Sequence, residues 1–414
     1  MTVAAAFSHS WHTVRSRRWL QVFAAAMFIN TSYGTLSYAF SIFVTDSGPG
    51  GEFGANVVSL AFGAALLVSG AVGIFAGAIA DLVGTRRLMA AGSVVGCGGL
   101  ALLGATQESW QFILVLALIC GPAMAATFYE PVYVLMNRWF EAADRPRAYG
   151  VLTLLSGFSI TIYTPLTRWL VDALGWREAI VVLGLILLAV GTFVPAILRE
   201  PFERNGQAER LTPRRFAREA RDGLRHADRR FWWFTAAVFV ATVAISGFSF
   251  HMIAQLESRG FAEAPVANAI ALTGVISLPA RLLLPMLSGR APTVILLAVC
   301  MALLGVAAWL ASASSEWWQV WVYIAVYGAV FGAVFPLRAL VTSEQFAGQY
   351  FGRIIGLQAL FVAAARALGP VLVGAMGTSQ SAYQAGFQVC ALALAVASVA
   401  TWWSMRGARG SRGP

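Results

Sequence analysis

The chain has 414 residues, of which 58% are hydrophobic and only 12% charged, with a mean hydropathy of +0.71. A soluble domain carries about 25% charged residues, so this composition excludes an ordinary globular enzyme and points to a polytopic membrane protein. The formal charge of +10 comes with no lysine at all, which removes Schiff-base chemistry and lysine proton carriers. Most of the excess lies in short segments between apolar runs, a distribution that the positive-inside rule explains without a nucleic-acid partner.

Arg15, Arg17 and Arg18 stand before the first long apolar run, and no convincing signal-peptide cleavage site follows. The expectation is a retained first helix that starts in the cytoplasm. About twelve apolar runs approach the ~20 residues that a bilayer requires. In the first half they cover residues 19–44, 57–80, 88–106, 110–136, 148–171 and 178–198. In the second half they cover 231–255, 264–287, 293–312, 317–342, 353–376 and 383–405. Between the halves, Arg199 to Arg230 forms the longest polar stretch, with arginines interleaved with acids and two prolines, Pro201 and Pro213. The predicted organisation is a bundle over 1–198, a cytoplasmic linker over 199–230 and a second bundle over 231–414.

The arginines alternate with this topology. Segments predicted inside hold Arg86 and Arg87, then Arg138, Arg145 and Arg147, the linker set, Arg290, Arg353, and Arg406, Arg409 and Arg412. Segments predicted outside hold Arg168, Arg177 and Arg259. Both termini are therefore expected in the cytoplasm. The halves also echo each other: Phe140 and Gly150 flank the entry to the fifth run, and Phe346 and Gly356 flank the eleventh. Cys97, Cys120, Cys300 and Cys390 fall inside apolar runs without metal-ligand spacing and read as small hydrophobes.

Between the second and third runs stands Gly77-Ala-Ile-Ala-Asp81-Leu-Val-Gly84-Thr-Arg86-Arg87. Gly77 allows helices to approach and Gly84 allows a tight turn. Asp81 suits the positive end of a neighbouring helix, and the arginine pair holds the loop inside. This closely resembles motif A of the major facilitator superfamily, G-x-x-x-D-x-x-G-x-R-R. The resemblance implies an all-α membrane protein with twelve transmembrane helices in two six-helix pseudo-repeat bundles, a gating role for the motif, and transport by alternating access. The matching second-half loop, Leu287-Ser-Gly-Arg290, lacks the acid.

In the first run Asn30, Tyr33, Gly34, Ser37, Tyr38 and Ser41 recur at helical spacing, one polar stripe that should face the protein interior. The wording from Gly34 to Phe43 resembles the first helix of bacterial oxalate–formate antiporters and monocarboxylate transporters, and Gly175-Trp176-Arg177 is also common there. In oxalate–formate antiporters, basic residues of the eighth and eleventh helices receive the substrate carboxylates. Arg281 and Arg366 occupy those helices here, and Thr273 and Ser277 precede Arg281 by eight and four residues, on the same helical face. An arginine at bilayer centre costs roughly 2.5–3.5 kcal/mol on insertion scales. The offset is an acidic partner, a water-filled cavity or an anionic substrate; the competing reading makes each arginine a structural strut.

Glu130, beside Pro131, is the clearest acid within a run: a proton carrier, a partner for an arginine, or part of a helix kink. His251 falls off the Thr242–Ser246–Ser249 stripe and reads as a packed, hydrogen-bonded histidine. Tyr163, Tyr323, Tyr327, Phe331 and Phe335 either wall a small anion site or pack. The expected function is secondary transport of a small organic anion, with proton-coupled efflux or a non-transporting receptor as alternatives. No catalytic set, metal cluster or phosphate loop stands out, so neither an enzyme nor a cofactor is expected. The expected partners are the lipid bilayer of the cytoplasmic membrane, the anion, and a proton or counter-anion, with the chain monomeric.

Overall fold

The computed structural model describes residues 3–44, 47–199, 228–346, 351–377 and 379–404, and all regular structure among them is helical. The expected strap over 199–230 falls almost wholly outside the described residues. The chain divides into two compact units, Met1–Ala217 and Arg218–Pro414.

In the first unit α1 runs Val3–Tyr33, passes through a π-turn at Gly34–Tyr38 and ends as Phe40–Phe43. A one-turn helix, Pro49–Phe53, leads into α2 (Ala55–Val83) and α3 (Thr85–Gly104). The fourth rod, α4, is built from Ser109–Val115, a π-turn at Leu116–Cys120, Gly121–Thr127 and Tyr129–Trp139. The fifth, α5, joins Arg145–Ser156 to Ser159–Leu174, and α6 is Trp176–Ile197. In the second unit the rods are α7 (Arg229–Glu257), α8 (Glu263–Met286), α9 (Thr293–Ala313), α10 (Trp317–Phe346), α11 (Phe351–Gly374) and α12 (Gln380–Ser404). Among the described residues ten stretches, one in each of α3 to α12, are long and apolar enough to cross a membrane. Twelve spans were expected. α2 offers a shorter apolar stretch, Val57–Gly73, and α1 is interrupted by its π-turn.

Each unit packs by the same scheme. α1 lies on α5 and α6, α2 on α4, and α3 on α4 and α6. In the second unit α7 lies on α11 and α12, α8 on α10, and α9 on α10 and α12. Raising each helix number of the first set by six gives the second, which is the pattern of an internal repeat.

Apolar burial cannot drive helices together where the solvent is itself apolar, so close backbone contact and polar ties carry more weight. At the α7–α11 crossing, a Cβ on Gly369 would lie 2.4 Å from the carbonyl oxygen of Val243 and 2.6 Å from the backbone nitrogen of Gly247. Helix ends are tied by arginine. Arg177 donates from Nη1 to the carbonyls of Gly104 (3.0 Å) and Thr106 (2.6 Å) at the end of α3, and from Nη2 to Glu52 of the one-turn helix. Trp176 donates to the same carboxylate at 3.2 Å. Arg259 does the same work in the second unit, donating to the carbonyl of Ser312 at the end of α9. A cation near a helix C-terminus also opposes the macrodipole.

Gly369→Ala is expected to destabilise the protein by about 1–3 kcal/mol, because a methyl group meets backbone rather than a movable side chain. Gly63 has nothing within 4 Å of the same added atom, so Gly63→Ala is expected to stay within about 0.5 kcal/mol of the parent. Thermal unfolding of both variants in detergent checks the contrast.

Candidate functional site

In the second unit the candidate site is built on α10. Tyr327, Phe331 and Phe335 recur every fourth residue and so share one helical face. Tyr327 stacks on Phe331 with ring centroids 4.7 Å apart and planes 18° from parallel. Phe331 meets Phe335 edge-on at 6.1 Å. Tyr327 is buried, with its hydroxyl 2.7 Å from Ser249 Oγ of α7, whereas Phe331 and Phe335 are half-buried.

Two half-buried arginines reach this row of rings from neighbouring helices. Arg366, on α11, lays its guanidinium carbon 4.7 Å from the centroid of Phe335, a cation–π arrangement. Arg281, on α8, lies within electrostatic reach of the Tyr327 hydroxyl. Its stem presses on α10: a Cβ on Gly332 would sit 2.7 Å from Arg281 Cγ and 2.4 Å from the carbonyl oxygen of Ser277. Glycine at 332 therefore lets α8 approach closely enough to bring the stem of Arg281 onto α10. Ser277 lies in this contact, buried, and its hydroxyl bonds its own helix at the Gly274 carbonyl (2.7 Å). Thr273 does likewise with Ile270 at 2.6 Å.

The placement of Arg366 has a backbone cause. Pro370 has no N–H, so the carbonyl four residues earlier, that of Arg366, loses its helical donor. Ser246 Oγ of α7 supplies the replacement at 2.7 Å. The carbonyl of Pro370 lies 3.0 Å from His251 Nε2, so this histidine is packed and hydrogen-bonded rather than lining the row of rings.

The first unit gathers a second set of aromatics. Tyr33 of α1 stacks on Phe128 (4.0 Å, 22°) and leans on Tyr129 (5.0 Å); Tyr129 stacks on Tyr133 (5.5 Å), and Tyr133 leans on Tyr149 (4.8 Å). Tyr38 lies 6.2 Å from Tyr33 across the π-turn, and Ser37 is half-buried beside it. The continuous polar stripe expected along α1 does not persist. Inside the π-turn the Ala39 N–H bonds the Gly34 carbonyl, five residues back instead of four. The turn takes up one extra residue, so everything beyond it rotates by about 100°. Ser41 consequently leaves the stripe, is exposed, and bonds its own helix at the Tyr38 carbonyl (2.7 Å). Asn30 serves a helix contact: its amide donates to the Leu155 carbonyl (3.2 Å), and its own carbonyl accepts from Ser159 (2.6 Å), both on α5. Tyr163 is buried and bonds Thr31 at 2.9 Å.

Glu130 is half-buried in the first turn of the helix Tyr129–Trp139. The break in α4 falls at Phe128, which is extended (φ −81°, ψ −163°), and not at Pro131. Pro131 takes the third position of the new helix, where a missing N–H costs nothing. An acid there also faces the favourable end of the helix dipole.

Of the motif between α2 and α3, Gly84 has φ +97°, a backbone that side chains rarely adopt, and it joins the two helices without a loop. Arg86 donates from Nε to the Pro195 carbonyl (2.6 Å) and from Nη2 to that of Ala196 (3.5 Å), capping the end of α6. Arg87 is exposed. Gly77 and the side chain of Asp81 lie outside the described residues. Arg138, on α4, donates to the carbonyl of Ala80 at 3.3 Å, tying α4 to the end of α2.

One arginine escaped the sequence reading. Arg338 of α10 is only 4% exposed, and its Nη1 donates to Gln358 Oε1 of α11 at 3.1 Å. Thr342 donates to the same oxygen at 3.1 Å. The available signal was a polar pair, Arg338 and Gln358, each inside an otherwise apolar run. Among the described residues no three His, Cys, Asp or Glu side chains gather as a metal site.

The Major Facilitator Superfamily model matches residues 22–337. The chain belongs to the major facilitator superfamily. Within it, 133 residues are 32% identical to the MFS-type transporter pynF of Aspergillus niger, covering 31% of this chain and 30% of that one. A further match, 31% identical over 118 residues, is to the multidrug resistance protein MdtH of Yersinia pestis, covering 28% of this chain and 29% of that one. The chain thus aligns with about a third of these relatives' length. Among solved structures, the human organic anion transporter MFSD10 superposes with a TM-score of 0.74 at 15% identity, covering 93% of this chain and 99% of that one. The Escherichia coli fucose:proton symporter FucP gives 0.70 at 13% identity, covering 93% and 98%. These likenesses show the major facilitator fold.

Ser246→Ala removes the donor that replaces the one lost at Pro370. An unsatisfied buried carbonyl costs about 1–3 kcal/mol, so this variant is expected to melt lower than the parent. Ser249→Ala, which removes a hydroxyl–hydroxyl bond, is expected to lose about 0.5–1.5 kcal/mol. Parallel thermal melts in detergent decide the order.

Proposed function

We propose that this membrane protein is a secondary transporter of a small organic anion, a carboxylate, which pairs with Arg281 and Arg366. The observation that carries the reading is the meeting of two half-buried arginines with one helix: the Arg366 guanidinium from α11 lies on the ring of Phe335, and the stem of Arg281 from α8 presses on Gly332, both on α10. Both arginines lie within stretches long and apolar enough to cross a membrane. Charges inside such stretches face a protein interior or a water-filled cavity and mark substrate pathways. Guanidinium groups match carboxylates with two parallel charge-assisted hydrogen bonds. The loop-by-loop arginine bias supports cytoplasmic termini in this reading.

Uptake into proteoliposomes tests it. Lysine at 281 or 366 keeps the charge but loses the planar fork, so weaker binding and a higher KM are expected. Leucine at either position is expected to abolish carboxylate uptake while the protein still folds, because it removes a buried charge together with its cost. Arg366→Leu protein that melts far lower than the parent, or that transports normally, contradicts the assignment and leaves Arg366 as a strut.

A further inference from the structure

The chemistry around the two arginines says more than that the ligand is anionic. A site for the smallest carboxylates needs polar groups on most sides, because such ligands have almost no apolar surface to bury. Here the face of α10 on which Arg366 rests is a row of rings. Phe331 stands between Tyr327, which lies within reach of Arg281, and Phe335, which lies under Arg366. The hydroxyls on the approach are engaged elsewhere: Tyr327 with Ser249, Thr273 with Ile270 and Ser277 with Gly274.

The three rings have different duties. Tyr327 is buried and stacked, and the face of Phe335 holds the Arg366 guanidinium. Phe331 has one face on Tyr327 and is half-buried. Its flanking arginines argue that this remaining surface looks toward water or ligand rather than lipid, since buried charge in a membrane protein turns from the hydrocarbon. A guanidinium already seated on a ring is also pre-organised for a carboxylate and loses less entropy on binding.

We infer that the preferred ligand is an aryl carboxylate, with its ring packed on Phe331 and its carboxylate held by Arg366, Arg281 or both. This rests on the anion reading above and narrows it. The assignment explains why the arginines sit on a row of rings instead of in a polar nest. The ring–ring contact prefers an offset or edge-on approach with centroids about 4.5–7 Å apart, the same range as the internal contacts of the row.

The test uses the purified full-length protein in detergent and measures binding by calorimetry, with benzoate, acetate, oxalate and benzyl alcohol as probes. Benzoate is expected to bind at least tenfold more tightly than acetate or oxalate, and benzyl alcohol, which lacks the charge, more weakly than benzoate. Phe331→Leu keeps an apolar side chain of similar reach but removes the ring. It is expected to weaken benzoate about three- to tenfold, the worth of one ring–ring contact, and to leave acetate unchanged. Phe331→Tyr, which keeps the ring, is expected to retain the benzoate preference, and a thermal melt of each variant reports its fold. Equal binding of benzoate and acetate, or an equal loss of both in Phe331→Leu, overturns the aryl assignment while the carboxylate site stands. Binding of no carboxylate by the folded parent protein overturns both.

Discussion

A backbone in hydrocarbon has no water to bond, so each carbonyl and N–H must find its partner inside the protein. This chain places proline inside α5, α6, α8, α10 and α11, and each such proline withholds a helical donor. The repair seen at α11 shows how the constraint shapes the molecule. Ser246 bonds the carbonyl released by Pro370, and that carbonyl belongs to Arg366. The repair therefore fixes the backbone of the residue proposed to hold the ligand. The adjacent glycine contact at Gly369 brings α7 near enough for a hydroxyl as short as serine's to reach.

The arginines divide into two physical kinds. Arg86, Arg177 and Arg259 use their donors on carbonyls at the ends of α6, α3 and α9, where they complete helices and oppose dipoles. Arg281 and Arg366 instead lie within helices, Arg366 on the ring of Phe335 and Arg281 with its stem against Gly332, where neither is shown finishing a helix end. Arg338 stands between the two kinds. It is buried and tied to Gln358 across α10 and α11, one turn along α10 from the Phe335–Arg366 contact. It thus sets the register between the helix that carries the rings and the helix that carries Arg366.

Much of the fold was legible because its causes are local. Apolar run length marked the helices, and Gly84 marked the joint of α2 and α3, where only a residue without Cβ adopts φ +97° easily. The capping role of Arg86 was not legible, since its partner carbonyls, Pro195 and Ala196, lie more than a hundred residues away in the chain. The stripe on α1 failed at Ser41 because a constant helical period was assumed, and no composition rule announces a π-turn. A kink beside Pro131 was one of three readings of Glu130, yet the break in α4 falls at Phe128, because proline is harmless in a first turn. Arg281 and Arg366 stood out as charges in apolar runs. Tyr327, Phe331 and Phe335 read as walls of an anion site or as packing, but their meeting with Arg281 and Arg366 was not legible, since it depends on α8, α10 and α11 coming together.

In the proposed site, charge on the ligand decides binding. The most direct measurement compares the affinity of the purified protein for a carboxylate and for its neutral primary amide, which has nearly the same shape. If two guanidinium groups hold the ligand, the carboxylate binds at least tenfold more tightly, and the preference persists across the pH range in which the ligand stays ionised, because arginine does not lose its proton there. Equal affinity for the acid anion and the amide contradicts the account.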